Sequence, residues 1–136
     1  MTAATEAQGP ATVQGFVRFL ETGQAEGVFA TELVCDVNFP QQRILGMTED
    51  ALVALRRSEH PGSTDVRIER LDPTDRGWVL QLEERWMRDG ERWYSRELFR
   101  ADVSDGRIVE LTVYCTGDWD EALQREHAAA ATSVGS

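Results

Sequence analysis

From Thr12 the apolar residues Val13, Phe16, Val17 and Leu20 recur at helical spacing, which predicts a helix with one buried stripe, closed by Gly23. Residues 1–10, small and polar and ending in Gly9-Pro10, read as a disordered tail. A short second helix is expected over 25–30, turning Val28 and Phe29 inward, before a strand over 33–38. Pro40 lacks a ladder donor and ends that strand. Thr48 then caps a third helix, with Glu49 and Asp50 at its positive end and Arg56 and Arg57 at its negative end. Leu52, Leu55 and Val53 supply its apolar stripe, and His60-Pro61-Gly62 stops it.

The second half changes to period two. Strands are predicted over 66–71, 78–87, 92–101 and 107–116, separated by the turn at 72–77 and by the hairpin signals Asp89-Gly90 and Ser104-Asp105-Gly106. Asp118, with Glu121 three residues on, opens a final helix, and residues 132–136 read as a loose C-terminus. Helices in front of a long meander give one α+β domain over 11–131: a cone-shaped, curved antiparallel sheet wrapped around the N-terminal helices, plus a C-terminal helix. The outer sheet face left over, with aromatic side chains available, is expected to pair two copies as a homodimer.

Composition narrows the chemistry. The net charge of −10 is the wrong sign for phosphate backbones or anionic membranes, so neither nucleic acid nor a membrane is an expected partner. All fourteen basic residues are Arg, which excludes Schiff-base, pyridoxal phosphate and Walker lysines. His60 and His127 are far apart and no CxxC or HExxH spacing occurs, so neither a metal site nor a cofactor is expected. No apolar run reaches the roughly 18 residues of a membrane helix, and the start of the chain has no secretory pattern. Two isolated cysteines suit a reduced, cytoplasmic setting.

The candidate site follows from alternation. On the last strand Val109, Leu111, Val113 and Cys115 share one face and should line the cone. Asp36 and Asn38 lie two apart on the first strand and so face one way, either toward water or into the pocket; the pocket is the reading adopted. Continuing that choice across the sheet brings in Gln81, Glu83, Arg85, Trp93 and Glu97, with Phe16 and Phe99 as walls. A one-residue slip of the strand over 78–87 would instead bury Leu80 and Leu82. With the polar set inside, Arg85 keeps one carboxylate ionised, Asp36 is the base, and buried Glu97 is the acid or hydrogen-bond donor. The competing reading is a buried Arg–Glu pair with Asp36 capping a loop. His60 favours the helix dipole or sits at the pocket mouth. Cys35 reads as core packing, and Cys115 as an apolar liner without a base beside it.

Four segments, FVRFLETG, FATELVCDVNFPQQRILG, TEDALVALRRSEH and ELFRADVSDGRIVELTVYCTGDWDEAL, carry a resemblance over nearly the whole chain. It is to the nuclear transport factor two-like (SnoaL-like) superfamily, related in fold to ketosteroid isomerase, limonene epoxide hydrolase and polyketide cyclases. Asn38 matches the water-positioning Asn of the epoxide hydrolases, but Asp36 stands where they carry Tyr and Val113 where they carry Asp. Glu97 falls near the protonated Asp of ketosteroid isomerases, their Tyr falls on Phe16, and their base falls near Val37 or Asp36. The expectation is a cofactor-free general acid/base enzyme acting on a small apolar oxygenated metabolite, as an isomerase, cyclase, dehydratase or epoxide-opening hydrolase. The alternative is a non-catalytic ligand-binding or protein-interaction module on the same scaffold.

Overall fold

The computed structural model describes residues 2–131, so the loose C-terminus expected at 132–136 lies outside the described residues. Helix α1 spans Thr2–Thr22, so residues 2–10 continue the helix where the sequence predicts a disordered tail. Its apolar stripe carries Val13, Phe16, Phe19 and Leu20, all buried. Gly23 (φ +78°) ends it in the left-handed conformation, its N–H donating to the Phe19 carbonyl at 2.7 Å.

The short helix expected at 25–30 is absent. Val28 N–H bonds back to Ala25 O, Gly27 takes φ +73°, and the chain goes straight into β1 (Phe29–Phe39). Pro40 closes that strand as expected, but a second strand that alternation did not reveal, β2 (Gln42–Met47), folds back on it. It is an edge strand with mostly exposed side chains, so it had no period-two pattern to read. Helix α2 (Glu49–Glu59) has Thr48 as its N-cap, the hydroxyl accepting from Ala51 N–H, and buries only Leu52 completely.

Strands β3 (Thr64–Pro73), β4 (Gly77–Arg88), β5 (Glu91–Ser104) and β6 (Arg107–Cys115) form the meander. Asp89-Gly90 (φ +53°, +74°) and Asp105-Gly106 (φ +52°, +73°) make the two tight turns, both residues left-handed in each. Helix α3 (Glu121–Ala130) is capped by Asp120 rather than Asp118: the Asp120 carboxylate accepts from Leu123 N–H at 2.8 Å.

The sheet runs β2-β1-β6-β5-β4-β3, all antiparallel except the β1–β6 pair, and it does not close. Its concave face holds the core. Phe16 is the hub, its ring centroid 4.8 Å from Phe99, 5.4 Å from Trp78 and 6.3 Å from Phe29. Between β5 and β6 the register shifts, so Ile108 is buried and Val109 only half-buried. Among the described residues no helix is long and apolar enough to cross a membrane.

The start of β4 has no space for a side chain. A Cβ on Gly77 would stand 2.1 Å from Ala101 O, a backbone atom that cannot swing aside. Gly77→Ala should therefore lower the unfolding free energy by roughly 3 kcal/mol, read as a lower urea midpoint at unchanged slope.

Candidate active site

Parity decides what each strand offers to the concave face. On β4 the inward set is Trp78, Leu80, Leu82, Glu84 and Trp86, all buried. The apolar majority wins, so the register is the slipped alternative: Gln81, Glu83 and Arg85 point to the convex face, not into the cone. There Glu83 accepts from Arg67 and Arg85, and the Arg85 guanidinium lies 4.9 Å from the Tyr94 ring centre.

The same rule corrects β1. Leu33, Cys35 and Val37 go inward, which sends Asp36 and Asn38 outward. Asp36 is held by Arg43 of β2 through two contacts of 2.8 and 3.0 Å, and Arg43's hydrogen bonds keep its carboxyl below the usual range. Asn38 donates to Asp36 at 3.2 Å and to Val113 O at 3.1 Å. Neither the expected base nor the expected water-positioning amide reaches the cavity.

Of the other expected residues, Phe16, Glu97, Phe99, Leu111, Val113 and Cys115 line one cavity of about 80 Å³, and His60 lines it too. Trp93 faces inward but lies behind this cavity, stacked on Trp86 (6.5 Å, 22°) with the Arg88 guanidinium 4.1 Å from its ring centre.

The cavity has an apolar body and a polar end. Phe16, Phe19 and Leu20 of α1, Val37 and Phe39 of β1, and Leu52 and Leu55 of α2 form its walls. At the polar end the sheet supplies Glu97 and its cross-strand partner Cys115, with Glu84 buried diagonally next to Glu97. Helix α2 supplies Arg56, Glu59 and His60, and the loop after β6 supplies Asp118.

Arg56 and Glu84 form a two-pronged ion pair; Glu84 is fully buried and the Arg56 side chain is 11% exposed. Arg56 also donates to Leu20 O at 2.5 Å, fastening α2 to α1, while its Nε–H has no partner. Burial alone would raise the Glu84 pKa, but a hydrogen bond from Glu97 and the charge and donors of Arg56 outweigh it, so Glu84 is ionised. Glu97 moves the other way. Burial first, then the Glu84 charge, raise it well above the carboxylate range. An ionised Glu97 would leave Oε2 without a donor; a protonated one donates to Glu84, while Oε1 accepts from Ser95 Oγ. The neutral carboxylic acid is therefore the form that satisfies the geometry.

The second carboxyl pair is Glu59 and Asp118. Burial, then repulsion by Glu59 and the hydrogen bond that protonated Asp118 donates to it, raise Asp118 to about 7. Arg88 binds Glu59 at 3.5 Å. His60 stacks on Trp86 (3.8 Å), and burial together with the Arg56 charge lowers its pKa to about 3. It is thus a neutral cavity wall, not a cation serving the helix dipole. Burial pushes the Cys115 thiol up, so it is no nucleophile. Among the described residues no group of three or more His, Cys, Asp or Glu is arranged to hold a metal ion.

Arg56, Glu59, Glu84 and Asp118 escaped the sequence reading, yet three of them had a signal. Leu52, Leu55, Arg56 and Glu59 fall at i, i+3, i+4 and i+7, so the two charges continue the apolar stripe of α2. Between Trp78 and Trp86, Glu84 is the one charged residue in the apolar parity of β4. Asp118 carried no such mark, because either of two nearby aspartates could have capped α3.

Breaking the inner ion pair should be costly and erasing it should not. Arg56→Met is expected to lose about 3–5 kcal/mol, and the Arg56→Met, Glu84→Leu double variant to recover most of it, measured by urea unfolding. His60 supplies a pH signature. It stays neutral in the fold down to about 3, whereas the unfolded chain binds a proton near 6.5, so its contribution falls as pH drops across that window. The stability of His60→Phe relative to wild type should therefore rise steadily between pH 6.5 and 3.

No protein-family model matches the chain, and no curated protein matches it by sequence. Solved structures match it in shape. IdmH of Streptomyces antibioticus, a candidate polyketide cyclase, superimposes with a TM-score of 0.67 at 14% identity, over 90% of this chain and 99% of that one. An NTF2-like protein of Anabaena variabilis gives 0.65 at 14% identity, over 84% and 90%. An LEH-like epoxide hydrolase of M. tuberculosis gives 0.63 at 19%, over 93% and 96%. With the mixed sheet, the hub helix and the cavity in the cone, these likenesses give the chain the NTF2-like fold of the SnoaL-like cyclases and their relatives.

Proposed function

We propose that the chain is a general acid/base enzyme that moves a proton next to the carbonyl group of a small, uncharged, apolar metabolite, in an isomerase or cyclase type of reaction. The observation that carries this reading is Glu97: a buried carboxyl held neutral beside an ionised one, at the polar end of an aromatic cavity. A carboxylic acid in that state can turn its one proton from Glu84 to a substrate oxygen where negative charge develops, in a buried site. The charge balance sets the substrate class. Arg56 is matched by Glu84 and Arg88 by Glu59, so among the described residues at the cavity no cationic group is left over to bind a carboxylate substrate. The likeness in shape to a candidate cyclase and an epoxide hydrolase fits small oxygenated substrates. This chemistry calls for no cofactor.

The convex sheet face is proposed as a homodimer surface. Leu98 and Tyr114 stand opposite each other across β5 and β6, and both are exposed. A Leu98→Glu, Tyr114→Glu double variant should sediment as a monomer.

For the reaction, a panel of cyclic ketones and enones in D2O gives the readout, as loss of the α-proton signal by proton NMR. Wild-type protein should accelerate exchange of at least one member. Glu97→Gln should lose about 10²-fold, while Asp36→Asn, on the far face, should keep the wild-type rate. Ketone binding by wild type without any exchange would instead favour a ligand-binding module.

A further inference from the structure

Resting on that reading of the cavity, we propose that Asp118 is the group that takes the proton from the substrate carbon, with Glu59 and Arg88 as its positioning residues.

The loop after β6 delivers this carboxyl deliberately. Glu97 and Cys115 are cross-strand partners, and the chain then turns at Gly117 (φ +84°), where an added Cβ would press to 3.2 Å on the Pro40 ring. The turn brings Asp118 back over the polar end of the cavity, opposite the helix that carries Arg56, Glu59 and His60. Asp120 serves the N-terminus of α3, so the Asp118 carboxyl is left over from the helix.

Apart from its partner Glu59, the titratable groups in and beside the cavity are unsuited to accept a proton. Glu84 would have to leave Arg56. Glu97 already holds a proton, His60 is too weakly basic, and Cys115 is a thiol. Unlike Glu97, whose carboxyl partner Glu84 is fully buried, Asp118 has a carboxyl partner, Glu59, that reaches the surface. Burial and the neighbouring Glu59 raise Asp118 to about 7, so it gains and loses its proton near neutrality, where a base is most effective. Glu59 also reaches water: its side chain is 42% exposed, which opens a route for the proton to leave.

The step balances. A C–H bond next to the carbonyl breaks and its proton goes to Asp118; the bonding pair becomes a carbon–carbon double bond. The carbonyl π pair moves onto oxygen, which accepts a hydrogen bond from the Glu97 O–H turned from Glu84, the proton staying on Glu97. Return of the proton from Asp118 to a different carbon completes an isomerisation with no oxidant or reductant.

The test uses the full chain and the same ketone panel. The charged and titratable groups around Asp118 are Glu59, Arg56 and His60 from α2, Arg88 and Glu84 from β4, Glu97 from β5 and Cys115 from β6. Exchange by wild type should rise with pH through an inflection near 7. Asp118→Asn should lose at least about 10²-fold and the inflection with it, whereas Glu97→Gln should lower the rate and keep an inflection. Glu59→Gln removes the repulsion that raises Asp118, so its inflection should move to lower pH. In ligand-free protein, carbon NMR of labelled aspartate should show one carboxyl titrating near neutrality that disappears in Asp118→Asn. If Asp118→Asn keeps the wild-type rate and pH profile while Glu97→Gln is inactive, the assignment of the base is wrong and the acid/base reading survives. If wild type exchanges none of the panel, both fall.

Discussion

The buried ion pair between Arg56 and Glu84 is the constraint on which the rest of the cavity depends. Taking both charges out of water offsets most of their mutual attraction, so the pair is a poor source of net stability. Its consequence is geometric and electrostatic. Helix α2 buries only one residue completely, and the guanidinium, bonded at once to β4 and to the last turn of α1, holds it across the open end of the cone. The same pair fixes the protonation of its neighbours. After burial, the ionised Glu84 is the second reason that Glu97 stays neutral, as the Arg56 charge is the second reason that His60 stays unprotonated.

Most of the scaffold was legible from periodicity. Helix α2 with its Thr48 cap, the meander and both left-handed turns follow from local rules that tertiary packing did not override. The missed pieces share a cause: β2 and the 25–30 segment have short or exposed side-chain patterns, where neither period is enforced by burial. For the site, Glu97 was recoverable because it alternates with Phe99 and Ala101, unambiguous core residues. Asp36, Arg85, Glu83 and Gln81 were misassigned because polar chemistry was allowed to choose the face of β1 and β4. Trp78, Leu80, Leu82 and Trp86 on one strand, and Leu33, Cys35 and Val37 on the other, hold the larger apolar area, and that area chooses the face. Within a face so chosen, the informative residue is the lone charge that rides inward with it, as Glu84 does.

The polar parity that went outward is not idle. Asp36 with Arg43, Glu83 with Arg67, and Glu69 with Arg96 tie adjacent or next-nearest strands laterally on the convex face, and Arg85 joins Glu83 along β4. Exposed pairs of this kind contribute little energy each. They do use up the hydrogen-bonding capacity of their carboxylates, which separates them from the cavity carboxyls: the outer ones are each matched by guanidinium, whereas the inner ones are matched partly by one another.

That difference traces to the spacing on α2. Arg56 and Glu59 are one turn apart on the same helical face, so a single docking of the helix brings a cation to Glu84 and a carboxylate to Asp118. The cation stabilises the ionised form of one sheet carboxylate and, through it, the neutral form of Glu97. The carboxylate raises the proton affinity of Asp118. Burial and a neighbouring carboxyl thus raise Glu97 and Asp118 alike, and one helix docking arranges both neighbourhoods, because the ion pair that seats Arg56 also sets the approach of Glu59.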